Sequence, residues 1–191
     1  MLAATHYLRQ GRLAIFLSTT LFFGACDEDE HKFTQIVSDD LESGNKWTFH
    51  NVAPAVHEDL LDGAVSASAS HSLAIKSAKA EASGFSFWSL RWAPEDILVG
   101  SSLELQVNVK VTDVTGEGAF VAMRGDAGSA VVFFETTQGS KSITGNRDFE
   151  TYTVKLDSYP EGVSELFIFL IMHGSSSGTV NFDDISLVSH H

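Results

Sequence analysis

Two arginines stand inside otherwise apolar runs: Arg91 in "FSFWSLRW" (residues 85–92) and Arg124 in "AFVAMR" (residues 119–124). A guanidinium in such a place either needs buried partners or forks onto the hydroxyls of a ligand. Trp88 and Trp92 lie four apart on the first run. In an extended chain they share one face, and Phe85, Phe87 and Arg91 share the other. Proteins hold sugars by stacking aromatic faces on ring C–H groups and adding a few fixed polar side chains. Glu135 closes the Val131–Phe133–Glu135 face of a third run. It is expected either to pair with Arg124 or to accept from a sugar hydroxyl. Trp88, Trp92, Arg91, Arg124 and Glu135 are therefore the candidate ligand-binding residues. The competing assignment puts both tryptophans in the core and makes the arginines ordinary ion-pair partners.

Other chemistry-bearing groups are weaker. "HEDLLD" (57–62) offers His57, Glu58, Asp59 and Asp62 to a cation, but such a run usually forms the solvated face of a helical turn. "RGD" (124–126) reads as a strand end followed by a Gly-Asp turn. No Ser-His-Asp order, His-Glu metal motif or phosphate loop is present. An enzyme would need a matched acid and base facing one cleft, and Arg91, His173 and Tyr152 are the best lyase-like set. The chain thus reads as non-catalytic.

These side chains must be positioned by strands. "LELQVNVKVTDV" (103–114) alternates apolar and polar residues at period two, the pattern of a half-buried strand. Further strands are expected at 33–38, 47–52, 71–78, 85–92, 119–124, 130–137, 149–156, 165–172 and 179–188. Turns are expected at "TGEG" (115–118), "GDAG" (125–128), "TGN" (144–146) and "GSSSG" (174–178), with a helical turn or two at 56–63. Many short strands between Gly-rich turns mean an all-β antiparallel sandwich. "FSFWSLRW" and "ELFIFLIM" (165–172) are apolar on both faces, which suits central strands of a jelly roll whose second side lines an aromatic groove.

Outside this body the chain opens with Arg9 and Arg12, an apolar stretch at 13–23, the small pair Gly24-Ala25, then Cys26 and four acids, Asp27 to Glu30. A basic start, a short apolar run and small residues at its end describe a signal peptide over 1–25. Small residues directly before a lone cysteine resemble the lipobox of bacterial lipoproteins, which implies lipidation of Cys26 and anchoring to the outer membrane. Phe23 departs from the leucine usual in that motif. Residues 26–32 then form an acidic tether, which either marks export to the cell surface or only keeps the domain soluble. Removing residues 1–25 takes away two arginines and no acid, so the formal charge of −13 becomes −15. Nucleic acid is excluded as a partner by that charge, anionic polysaccharide is disfavoured, and contact with the membrane is through the lipid anchor only.

A wider resemblance covers nearly all of 33–189. "DDLESG…W" (39–47), "HSLAIKS" (71–77), "GSSLELQVNVKVTDVTGEGAFVAMRGD" (100–126), "ITGNRDFETYTVKL" (143–156) and "SGTVNFDDISLV" (177–188) follow one another as in galactose-binding-like, jelly-roll carbohydrate-binding modules. The resemblance implies a sandwich that binds a polysaccharide or oligosaccharide without cleaving it. It also implies a structural Ca2+ tying the first strand region to the last, held by Glu42 and by Asp183, or less readily Asp184. The last strand carries its own signal there. Val180 and Phe182 share one parity and Ile185 and Leu187 the other, so a bulge is expected at Asp183-Asp184. A docking role with an envelope protein partner, or a lyase or hydrolase, are the alternatives to glycan binding.

Overall fold

The computed structural model describes residues 32–42, 46–68, 70–80, 83–140 and 143–191. The expected signal peptide, Cys26 and the acids after it lie outside the described residues.

Among the described residues ten strands follow in order: β1 (Phe33–Asp39), β2 (Thr48–Val52), β3 (Glu58–Asp62), β4 (Ser72–Ser77), β5 (Phe85–Trp92), β6 (Ser102–Ala127), β7 (Ala130–Thr136), β8 (Ile143–Leu156), β9 (Glu165–His173) and β10 (Gly178–His190). All pairings are antiparallel. The result is a jelly-roll β-sandwich, as the alternation and turn spacing require. Strand β6 belongs to both layers. Its first half, to Thr112, runs between β10 and β8 in a back sheet that continues through β4 to β3. The second half, from Ala119, runs between β9 and β7 in a front sheet that continues through β5 to β2. Strand β1 extends the back sheet along the final half of β10.

The crossing of β6 between layers happens at the "TGEG" segment, which sequence pattern marks as a turn. The chain bends there without leaving the strand. Gly116 and Gly118 take φ of +73° and +85°, conformations closed to most side chains. A Cβ on Gly116 would also sit 2.1 Å from the Ser175 carbonyl oxygen. Two other expected turns are likewise absorbed. "TGN" lies within β8, and Arg124-Gly125-Asp126 lies within β6, where the turn begins only at Gly128. The expected helical turn at 56–63 is strand β3, pairing Glu58 to Asp62 with Lys76 to Ser72 of β4. That cross-strand pairing overrides a local pattern that suits either state.

The core fills the space between sheets. From the front come Trp88, Leu90, Leu166, Ile168, Leu170 and Met172; from the back come Leu105, Val107, Val109, Phe182 and Leu187, all buried in one cluster. The expected bulge is present. Register between β10 and β6 shifts between Asp183 and Ser186, and Asp184 adopts φ +47°. The extra residue lets Phe182 and Ile185 both reach the core.

Candidate functional site: the outer face of the front sheet

The register of the front sheet places its side chains in cross-strand rows. One row runs Arg91 (β5), Phe167 (β9), Arg124 (β6), Phe134 (β7). The next runs Thr48, Ser89, Phe169, Ala122, Thr136, and the next His50, Phe87, Ile171, Phe120. Beyond these lie Phe85 and His173 at one end, and Glu165 with Asp126 at the other. All these residues face away from the core, because side chains alternate along each strand. Phe120, Ala122, Phe169 and Ile171 form a second apolar cluster, with Phe85, Phe87 and Phe167 packed against it.

This second cluster walls a groove of about 380 Å3 lined by Phe85, Phe87, Phe120, Phe134, Phe169 and Ile171, with Arg124 and Gln138 as its polar lining among the described residues. The rings brace one another. Phe87 meets Phe169 edge-on at 5.4 Å, Phe85 meets Phe120 edge-on at 6.0 Å, and Phe167 stacks on Phe169 at 5.8 Å. Such contacts fix ring orientation and leave several faces half open. His50 and His173 border the far end, 5.1 Å from Phe87 and 5.0 Å from Phe85.

Arg124 is the polar feature of the floor. Its guanidinium lies 5.1 Å from the Phe167 ring and 5.2 Å from the Phe169 ring, a cation–π arrangement. Its Nη2 donates to Asp126 Oδ2 at 2.7 Å. Glu135 is not the partner of Arg124. It pairs across from Met123, on the opposite parity to Arg124, and Asp126 takes the ion pair two residues along the same strand. Arg91 lies at the same end of the face and pairs with Glu165 of β9.

The tryptophans take the other parity. Trp88 is buried in the main core, and its Nε1 donates to the Ala74 carbonyl at 3.1 Å. Trp92 is half-buried against the same core. Neither lines the groove; of the two faces of 85–92, the tryptophan face is core and the phenylalanine face is open. The lyase-like set is not assembled. Arg91 and His173 stand at opposite ends of the face, six positions or roughly 20 Å apart along β5. Tyr152 is buried in β8 of the other sheet, bonded to Arg147 and Glu150.

The carboxylates expected to hold calcium converge on one short segment. Glu42 accepts from the Ser70 N–H at 2.5 Å, the Ser70 hydroxyl at 2.6 Å and the His71 N–H at 3.0 Å. Asp183, fully buried, accepts from the N–H groups of Ala67 at 2.7 Å and Asp184 at 2.8 Å. Asp184 accepts from the Ser68 hydroxyl and from Asn108 Nδ2. The Ser70 hydroxyl, then its N–H, hold the Glu42 carboxyl below the ordinary range, whereas desolvation raises Asp183 against the pull of its N–H donors. Among the described residues, no group of three or more His, Cys, Asp or Glu side chains is placed to share an ion. Each of these carboxylates is thus engaged by N–H or O–H donors of the chain, with which an ion held there would compete. Of the "HEDLLD" residues, Glu58, Asp59 and Asp62 lie along β3 and His57 just before it, and among the described residues they form no such group.

No family model matches this chain, and no curated protein matches it by sequence. Solved structures do. The enzymatically active domain of bacteriophage CBA120 tailspike protein 4 superposes with a TM-score of 0.55 at 17% identity, over 74% of this chain and 19% of that one. The present chain therefore spans about a fifth of that protein. A Stig cyclase from Fischerella sp. TAU, solved with an indole compound, gives 0.59 at 16% identity over 83% and 98%. The CBM22-1 xylan-binding domain of Paenibacillus barcinonensis Xyn10C gives 0.55 at 14% identity over 82% and 95%. At these identities the likeness establishes the sandwich fold.

Proposed function

We propose that the protein is a non-catalytic glycan-binding module, holding a polysaccharide or oligosaccharide in the phenylalanine groove of its front sheet. The observation that carries this reading is an aromatic-floored groove on the open face of a fold shared with a xylan-binding domain. Sugar rings present a C–H face to such a floor while their hydroxyls stay toward water and the polar rim. The proposal includes export and attachment to the outer membrane through a lipidated Cys26.

The test is affinity electrophoresis through gels containing a panel of polysaccharides. Wild type should be retarded by at least one, and Phe87→Ala should lose that retardation while keeping its melting temperature within a few degrees. Absence of retardation on every polymer would sink the reading. Mass spectrometry of the mature protein should find an acylated cysteine at its N-terminus.

A second reading, docking to an envelope protein, is favoured by one feature. Val131, Val132 and Phe134 on the outer strand β7 are 58%, 38% and 46% exposed, an apolar edge of the kind that recruits another chain. Recovery of a stable partner in the absence of glycan would support it.

A further inference from the structure

The two ion pairs at the end of the groove differ in kind. Arg91 and Glu165 have side chains 68% and 32% exposed, so water screens that pair. Arg124 and Asp126 are 33% and 10% exposed. Within the second pair, Arg124 Nε and Asp126 Oδ1 are buried and have no hydrogen-bond partner among the described residues. One ion pair at the edge of an aromatic floor thus carries both a donor and an acceptor that the protein leaves without a hydrogen bond. Polar groups buried this way are destabilising until something bonds them.

We infer that Arg124 and Asp126 form the specificity-determining pair of the groove, reading two adjacent hydroxyls of a neutral sugar whose ring stacks on the phenylalanines. This rests on the glycan-binding reading and narrows it to a ligand class. A hydroxyl both donates and accepts, so one of two neighbouring hydroxyls satisfies Arg124 Nε and the other satisfies Asp126 Oδ1. The pair is charge-neutral, and so is the polar end as a whole, with Arg91 and Arg124 balanced by Glu165 and Asp126. A uronic acid carboxylate approaching Arg124 meets Asp126 at the same contact, on a chain carrying a net −13. Access comes through the guanidinium. Lying over Phe167 and Phe169, it occupies the place where a sugar ring would stack. Turning aside for the ring exposes Asp126 and frees the fork for hydroxyls. Because Gly125 separates the two residues with only a hydrogen where a Cβ would meet the Phe133 ring at 2.2 Å, the strand passes here without pushing the pair out of line.

The experiment compares wild type, Asp126→Asn and the double variant Arg124→Gln/Asp126→Asn in affinity gels at low salt, with melting curves for each. Neutral gels hold xylan, mixed-linkage glucan, galactan and mannan; acidic gels hold polygalacturonate and alginate. Wild type should be retarded by a neutral polymer and by neither acidic one. Asp126→Asn leaves Arg124 uncompensated, so neutral binding should fall tenfold or more and acidic retardation should appear. The double variant, uncharged at both positions, should lose the first without gaining the second. If Asp126→Asn fails to fold, the double variant decides: neutral binding within twofold of wild type overturns the inference. So does wild-type preference for an acidic polymer, or an unchanged neutral-to-acidic ratio in folded Asp126→Asn. Wild type that binds nothing overturns the glycan reading and this inference together, an outcome distinct from binding that simply ignores Arg124 and Asp126.

Discussion

Strands β5 and β9 carry apolar side chains on both sides, and the two sides meet different fates. Toward the core, Trp88, Leu90, Leu166, Ile168, Leu170 and Met172 are at most 4% exposed and interdigitate with the back sheet. Toward the outside, Phe85, Phe87 and Phe167 are only partly buried and pack mainly on their neighbours in the same sheet. The chemistry differs too. The inner face mixes branched aliphatics with tryptophan, which fill volume; the outer face is chiefly phenyl rings, which offer flat surface. At the centre of this outer face Phe120, Ala122, Phe169 and Ile171 are buried, and Phe85, Phe87 and Phe167 stay partly open around them; under the proposed glycan reading those open rings are the ligand surface.

Truncating one ring on each side of β5 should separate the two faces most strongly. Trp88→Ala removes a buried ring and leaves the Ala74 carbonyl without its Nε1 donor. It should cost about 3–5 kcal/mol of folding stability in chemical denaturation. Phe87→Ala, one residue away, should cost about 1 kcal/mol, because its ring is only partly buried. Its effect should be read in glycan retardation instead. If both variants destabilise equally, the outer cluster is core and the two faces do not differ in role.

That both faces of 85–92 and 165–172 are apolar is legible in the sequence, as are most strands and the bulge at Asp183-Asp184. Which face opens is not. Parity groups Trp88 with Trp92 and Phe85 with Phe87, but nothing local says which group the other sheet will cover, and tryptophan's capacity for stacking draws attention to the side that packs into the core. The exposure of the phenylalanine face depends on β6 crossing between layers, a long-range event hidden in a segment that reads as a turn. Asp126 escapes notice for a similar reason. "RGD" looks like a strand ending in a turn, and only the continuation of β6 to Ala127 puts Asp126 on the parity of Arg124. Glu135 fails as a partner because strand parity fixes it opposite Met123.

A middle-sized effect separates the front-sheet groove from the carboxylates that hold Ala67, Ser68, Ser70 and His71. Asp183→Ala leaves the Ala67 and Asp184 N–H groups without an acceptor and should cost about 1–3 kcal/mol with glycan retardation unchanged. The pH dependence has opposing contributions. Glu42, with its folded pKa lowered, adds stability that is present above its unfolded value and lost as pH falls through the folded one. Asp183, with its folded pKa raised by burial, works the other way: the fold gains as pH falls through the raised value. Glu42→Gln should therefore flatten the loss of stability on acidification, and Asp183→Ala should steepen it. Added calcium should leave the wild-type melting temperature unchanged, since the carboxylates are already met by amide donors; a rise of several degrees would show the ion displacing them.

The smallest effect tests the two ion pairs at the groove's end against each other. Arg91 and Glu165 join β5 to β9 at the surface, where the attraction is screened and holding two long side chains costs entropy. Arg91→Ala should change stability by less than about 1 kcal/mol. Its influence on binding should be equally slight, because each side chain is more exposed than its counterpart in the Arg124–Asp126 pair and Arg91, unlike Arg124, does not line the groove. Arg124→Ala makes the informative contrast. It bares the Phe167 and Phe169 rings that the guanidinium now covers, so fluorescence of an apolar dye such as anilinonaphthalene sulfonate should rise even though the dye is anionic and a cation has been removed. Equal dye binding in Arg91→Ala and Arg124→Ala would mean that the guanidinium does not cover the floor, and that the two pairs, unlike in burial, are alike in function.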